Sequence, residues 1–412
     1  MQQHKIFALL PLFMVIFLDI AGIILVLPVL TPLILQPSSG MIPAGMSMFG
    51  RDLLYGLSLS LFPFFMFFST PIMGDLSDRF GRKKILMICL LGGSCSYIVG
   101  ALGVIYQSLM TLLISRAIAG LAAGTQSIAT AAIIDVSTPE NKTKYLAWIV
   151  FISSIGVILG PIVGGLTTEK NLVSWFSYQA PFFIAAGVCL LNAVFLQYAF
   201  KESHTPNTTH AIDLTKGFTL FIMAFKEQKF RLLSLLYFCY VLAWSLYYQS
   251  ITWFFMTKYH YTAAKLGLFV SYIGIICAIT SAVLSRYILR MFKHEVHAYA
   301  FFVFGMALAN VAAALSTNEV SQWMWVILNA AGDVVCYTIS LNLFSNLADK
   351  DSQGWIMGVT GAIAAITWGI GGVIVGPLGY INISLPLWTA GGLCLISLTL
   401  TWAYRRSHMA LT

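Results

Sequence analysis

Charge is what this sequence has least of. Only 9% of its 412 residues are Asp, Glu, Lys or Arg, where water-soluble domains carry roughly a quarter. A chain this poor in charge cannot coat a water-facing surface. That excludes a soluble enzyme, a disordered chain and a disulfide-stapled secreted domain. Acids are scarcer than bases, 15 against 23, and the net charge is +8. The bases fall in short clusters between apolar runs, so no nucleic-acid partner is expected. Cysteine is sparse too. Cys89, Cys95, Cys189, Cys239, Cys277, Cys336 and Cys394 all lie in apolar stretches without a C-x-x-C, as small buried apolar side chains do. No H-E-x-x-H, G-x-S-x-G or phosphate-binding loop occurs, so neither an embedded enzyme nor an ATP-driven pump is expected, and no cofactor or metal.

What the sequence does have is hydrophobic length. Apolar residues make up 59% and the mean hydropathy is +0.85. A helix needs about 20 apolar residues to cross the hydrocarbon core. Such runs fall near 7–35, 51–73, 84–106, 108–136, 144–167 and 177–200. A second set falls near 231–257, 264–289, 297–316, 321–347, 354–378 and 386–404. The chain therefore reads as an all-α membrane protein with twelve transmembrane helices in two six-helix bundles. The expected bundles are 1–200 and 231–412. Between them 201–230 reads as a cytoplasmic linker holding Lys201, Glu202, His204, Pro206, Asp213, Lys216, Lys226 and Lys229, with a short amphipathic helix over 213–227.

With the N-terminus inside, the cytoplasmic loops hold 18 of the 23 bases. The outer loops hold Arg51, Lys170, Lys258 and Lys265, and Arg116 lies within a span. Enrichment of Lys and Arg on the inner side sets orientation, so both termini are expected in the cytoplasm. The N-terminal apolar run is too long for a cleaved signal peptide and is interrupted by Asp19. The halves repeat one another: Gly156-x-x-x-Gly160-Pro161 recurs as Gly372-x-x-x-Gly376-Pro377, and the same offset places Arg116 beside Asp333. Basic residues after span two are echoed after span eight by Arg286, Arg290 and Lys293. In duplicated transporters, substrate sites lie near the midplane between repeats.

A charge at the bilayer centre costs about 2.5–3.5 kcal/mol on insertion scales, so each ionisable group within a span is informative. Asp19 lies roughly 18 Å into span one and Arg116 roughly 12 Å from the opposite face, at the helical rise of 1.5 Å. In a core about 30 Å thick those depths coincide. An ion pair is geometrically possible, either as static glue or as a carboxylate protonated in one state and paired in another. Asp333 in span ten has no base at its depth, and Asn329 and Ser340 share its face. It reads as a protonatable acid, or as one hydrogen-bonded to a neighbouring span.

Arg116, Gly120, Ala123 and Ser127 share a face of span four, and Gly120-x-x-x-Gly124 permits close helix approach. In span seven Tyr237, Trp244 and Tyr248 share a face beside Gln249. Such aromatics pack or form an interfacial belt; lining a cavity, they favour a flat, lipophilic or cationic substrate. Met41, Met46 and Met48 in an outer loop are a thin copper(I) pattern, with a plain loop as the simpler reading. Pro28 and Pro63 can kink spans one and two. Gly156, Gly160, Pro161, Gly164 and Gly165 make span five either a stiff gasket or a hinge.

The stretch Gly74-Asp75-Leu76-Ser77-Asp78-Arg79-Phe80-Gly81-Arg82-Lys83-Lys84, between spans two and three, resembles the signature of the major facilitator superfamily. The glycine-proline run of span five is similar to the motif of its drug/proton antiporter branches, and Arg116-x-x-x-Gly120 to their buried-arginine motif. Leu18-Asp19-x-x-Gly22 with Leu27-Pro28-Val29-Leu30 resembles the first span of tetracycline/proton exchangers, and Ala180-Pro181-Phe182-Phe183 adds to the likeness. The resemblance implies alternating access by rocking of two bundles, driven by proton exchange. Asp78 and Arg79, with Asp75, Arg82 and Lys83, would form a cytoplasmic latch, Asp78 facing a helix N-terminus of the other half. Arg116 would assist proton movement and Gly156 to Gly165 would limit leak. The loop after span eight departs from the signature, and Asp333 belongs to none of these motifs.

The expectation is a secondary active transporter: a proton antiporter, monomeric, in a bacterial inner membrane. It would export a small amphipathic or cationic compound. Asp19, Arg116 and Asp333 are its expected proton-coupling groups. Ser127, Tyr237, Trp244, Tyr248, Gln249 and Asn329 are its expected substrate lining. A symporter or facilitator for a metabolite, siderophore or nutrient is the alternative within transport, since the scaffold is widely reused. A non-transporting sensor is the alternative outside it.

Overall fold

A computed structural model describes residues 2–36, 39–43, 45–203, 213–284, 287, 290–292, 294–347 and 353–409. Among these residues every regular element is helical. Twelve helices are long and apolar enough to cross a membrane: Leu9–Leu35, Met48–Phe80, Arg82–Ile105, Leu109–Asp135, Lys144–Leu166 and Ala180–Ala199, then Gln228–Tyr259, Ala263–Ala282, Glu295–Leu315, Glu319–Leu347, Trp355–Ile381 and Leu385–Arg406. Helices are what apolar solvent demands, because each backbone N–H and C=O must then bond within its own segment. Outward-facing side chains such as Leu191, Val150, Phe301 and Met324 are apolar and exposed, as lipid contact requires.

Helix ends follow local chemistry. Ser108 caps span four by accepting the Thr111 amide at 3.3 Å. His260, at φ 55°, closes span seven with its N–H on the Phe255 carbonyl. Span one is interrupted at Val26, and Pro28 falls in the first turn of Leu27–Leu35, where its missing N–H costs nothing. Pro63 lies instead within the continuous helix Met48–Phe80.

Two junctions depart from the sequence reading. Gly74 to Phe80 is not loop but the last turns of span two, and Gly81 alone separates it from span three. Asp, Ser and Arg are all compatible with a helix; only Gly81, at φ 101°, breaks it. Span four is two helices, Leu109–Leu121 and Thr125–Asp135, broken at Gly124 with φ 105°. Gly124 therefore starts a second helix besides easing contact. Span eight passes into a π-helical turn, Thr280–Leu284. Of the basic residues expected after it, Arg286 and Lys293 lie outside the described residues, as do His204 and Pro206 of the linker. Lys216–Lys226 is a separate short helix. Asp213 leads into it, accepting from both the Thr215 amide and hydroxyl, which hold its carboxyl below the usual carboxylate range.

The chain forms two compact units. One comprises Met1–Ser47, Leu57–Lys216 and Tyr261–Ser271; the other comprises Met48–Gly56, Gly217–His260 and Tyr272–Thr412. In the first, span one packs on four, five and six, and span three on four and six. In the second, span seven packs on ten, eleven and twelve, and span nine on ten and twelve. The second pattern is the first advanced by six, so the repeat seen in the glycine motifs is a repeat of packing. The first unit's core runs through Leu12, Ile16, Leu86, Ile128, Ala132 and Leu196.

Candidate functional site

Asp19 does not meet Arg116. The break in span four exposes a new helix N-terminus inside the membrane, and Asp19 sits on it, accepting hydrogen bonds from the Thr125 side chain and the Gln126 backbone N–H. A carboxylate suits such an end, where unpaired amides and the helix dipole present partial positive charge. The carbonyls freed by the break are taken by Ser69, which donates to Leu121 O at 2.5 Å and to Ala123 O at 3.3 Å. Ser127 is used in closing the turn, donating to Gly124 O at 2.8 Å. Beside Asp19 is a cavity of about 50 Å³ lined in part by Tyr97, Thr125, Ser96, Cys89, Cys189 and Phe62. That volume holds a few waters.

Arg116 is 6% exposed. Its guanidinium lies 5.2 Å from the Phe62 ring centroid, and its Nε has no hydrogen-bond partner among the described residues. Tyr97 interacts electrostatically with both Arg116 and Asp19. The direct pair that depth alone allows is not formed; Tyr97 stands electrostatically between the two groups' fields. Depth alone does not encode which way a side chain points around its helix.

In the second unit, Tyr240 of span seven donates to both the Oδ1 of Asp333 at 2.5 Å and its backbone carbonyl at 2.8 Å. No cation pairs with Asp333 among the described residues. Tyr237 and Tyr337 stand near it. Asn329 is buried in reciprocal bonds with Asn310 at 3.3 and 3.4 Å. Gln249 donates to Ser245 Oγ at 2.7 Å and to Trp368 O at 3.1 Å. Trp244 stacks on Tyr247, and Tyr248 meets Trp244 and Trp368 with its hydroxyl unpartnered among the described residues. Of these expected lining residues, Tyr237, Asn329 and Gln249 are almost fully buried, and Trp244 and Tyr248 are 8% exposed.

The signature segment is a charge cluster held by residues that sequence reasoning does not single out. Arg82 bonds Asp78 at 2.9 Å and Asp135, at the end of span four, at 2.8 Å. Glu202 accepts the Arg82 and Lys83 amides, each at 3.0 Å, capping span three, while Lys83 reaches Gln197 O. Asp75 is buried with Lys216 at 2.6 Å. Arg79 lies over the Phe80 ring at 5.4 Å. Spacing signals the local Asp78–Arg82 pair, four residues apart. Nothing local signals Asp135, Glu202 or Lys216 as partners.

The glycines of span five lie backbone to backbone on other helices. A Cβ on Gly160 would come within 2.5 Å of the Ala21 carbonyl oxygen, and one on Gly156 within 3.1 Å of that of Phe17. Gly164 meets Leu25 equally closely, and Gly165 faces Ala263. Gly267 meets the Pro161 carbonyl, and Ser271 donates to Ile158 O at 2.7 Å. In the second unit Gly372 and Gly376 lie likewise against Gly56 and Asp52.

Twelve apolar spans, a doubled six-span packing pattern and acids within spans on neutral donors describe a duplicated multi-pass membrane protein built around ionisable sites. The chain belongs to the Major Facilitator Superfamily, whose family model matches residues 12–372; it is a transporter by family. It is 27% identical over 380 residues to the class C tetracycline resistance protein of Escherichia coli, covering 88% of this chain and 85% of that one. It is 27% identical over 399 residues to the quinolone resistance protein NorA of Staphylococcus aureus, covering 92% of each. Among solved structures, the human organic anion transporter MFSD10 (TETRAN) superposes with a TM-score of 0.69 at 21% identity, over 96% of this chain and 99% of that one. A bacterial homologue of the human lysosomal transporter Spinster gives 0.78 at 15% identity, over 100% and 98%.

Proposed function

We propose that this protein is a proton-coupled antiporter that exports a small amphipathic or cationic compound by alternating access. Its bundles are 1–200 and 231–412, joined by the cytoplasmic stretch 201–230. It works as a monomer in a bacterial inner membrane with both termini in the cytoplasm, and it catalyses no covalent step. One observation carries the reading: Asp19 and Asp333 are each held by neutral donors, Thr125 and the Gln126 amide for one, Tyr240 for the other. An acid paired to a cation cannot take up a proton without stranding a buried charge, at a cost of several kcal/mol. An acid held by hydroxyls and amides can. Relatives named for tetracycline and quinolone resistance support export of drug-like compounds.

The test is uptake of tetracycline and norfloxacin into everted vesicles under an imposed proton gradient, acid inside. Gradient-dependent accumulation is expected for wild type and its loss for Asp19→Asn, with the variant still inserted at normal abundance. Uptake driven by a gradient of the opposite sign would turn the reading to symport. Wild-type accumulation in Asp19→Asn would remove the acid from the coupling.

A further inference from the structure

We propose that Tyr97 of span three is the positioning residue that joins Asp19 to Arg116, and that Gly22 exists to admit it. Gly22 stands three residues after Asp19 on the same helix, where i and i+3 share a face. The space its absent Cβ leaves is filled by the Tyr97 hydroxyl: the built Cβ overlaps that oxygen and comes within 3.1 Å of the ring carbon bearing it. The phenol is thus delivered beside the carboxylate through a notch in the acid's own helix. It also interacts electrostatically with Arg116. The hydroxyl makes no hydrogen bond to a described residue, and its ring lines the cavity it shares with Asp19 and Thr125. A hydroxyl both donates and accepts. It can donate toward the carboxylate, directly or through one cavity water, while its oxygen remains able to accept from a cation. The inference deepens the antiport reading and rests on it for its meaning in transport: Arg116 influences Asp19 through a neutral, rotatable group and not as a fixed counter-ion.

The groups around Asp19 are few. Span three brings Cys89 and Tyr97, span six brings Cys189, and span four brings Thr125 and, beyond Tyr97, Arg116. Span five presents Gly156 and Gly160, which carry no titratable side chain. No other cation competes for the role among these neighbours.

The experiment needs no transported compound. Purified protein in lipid is titrated while the infrared carboxyl stretch of Asp19 is followed, the band being assigned by its loss in Asp19→Asn. Tyr97→Phe, which keeps the ring, and Gly22→Ala, which evicts the hydroxyl, are each expected to displace the titration midpoint by about one pH unit, the scale of one hydrogen bond to a charged group. The double variant is expected to be displaced no further than either single one, because both remove the same contact. An unmoved midpoint in Tyr97→Phe, or additive displacements in the double variant, overturns the proposal. Should Asp19 not titrate at all in wild type, the proton-exchange reading fails; a titrating band indifferent to Tyr97 removes this inference alone.

Discussion

Asp19 and Asp333 meet the same difficulty, a carboxyl in oil, with the same class of partner, a hydroxyl on a neighbouring helix. For Asp333 the partner is Tyr240, whose phenol reaches both the side chain and the main chain of the acid. Hydrogen bonds between helices in membranes contribute about 0.6 kcal/mol on average and at most about 1.7. Tyr240→Phe is therefore expected to lower the thermal transition of the detergent-solubilised protein by only a degree or two. Its effect on the pH profile of exchange is expected to be larger than its effect on stability. A large stability loss with an unchanged profile would make the bond mere packing. At this scale the sequence shows which residues are unusual but not whom they touch. Acids and a base in apolar runs stand out because insertion makes them costly. Tyr97, Thr125 and Tyr240 do not stand out, because hydroxyl-bearing residues are ordinary inside helices.

Among the elements, the twelve spans are legible because twenty apolar residues in a row have few other uses. Their interruptions are not. The break at Gly124 is masked by the Gly120-x-x-x-Gly124 spacing, which points to packing; Gly120 does pack, against the Phe62 carbonyl, and Gly124 packs against Thr70 but also turns the chain. The charged C-terminal end of span two is misread for the opposite reason: charge suggests loop, although its residues continue the helix to Phe80. Span five leaves gasket or hinge open in sequence. Its glycine face, pressed on the carbonyls of Phe17, Ala21 and Leu25, favours the gasket. Gly160→Ala would have to push backbone from backbone, and overpacking of this kind costs roughly 1–3 kcal/mol. A marked drop in folded yield is expected from fluorescence-detected size exclusion. Gly361→Ala, with nothing within 4 Å of the added carbon, is the control and is expected to match wild type. Equal behaviour of the two variants would mean that span one yields and the face is not tight.

For the whole molecule, the duplication is legible in two glycine motifs one fixed offset apart, and the helices of the two copies pack in the same pattern. Orientation rests on the bases alone. Trp175, 60% exposed between spans five and six, and Leu214, 68% exposed before the short helix Lys216–Lys226, lie on opposite sides in the proposed topology. A cysteine at position 175 is expected to react with a membrane-impermeant maleimide in intact cells. One at position 214 is expected to react only after permeabilisation. The reverse pattern would invert the proposed orientation and, with it, the direction of export.

The two copies have not kept their acids in matching places: one stands on the first helix of its set, the other on the fourth. Each acid's donors come from its own copy, Thr125 with Asp19 and Tyr240 with Asp333. Recombination that swaps in a foreign second copy would carry the first acid's surroundings through intact. Either copy can therefore be exchanged together with the acid it holds, while the acid left behind keeps its own hydrogen-bond donors unbroken.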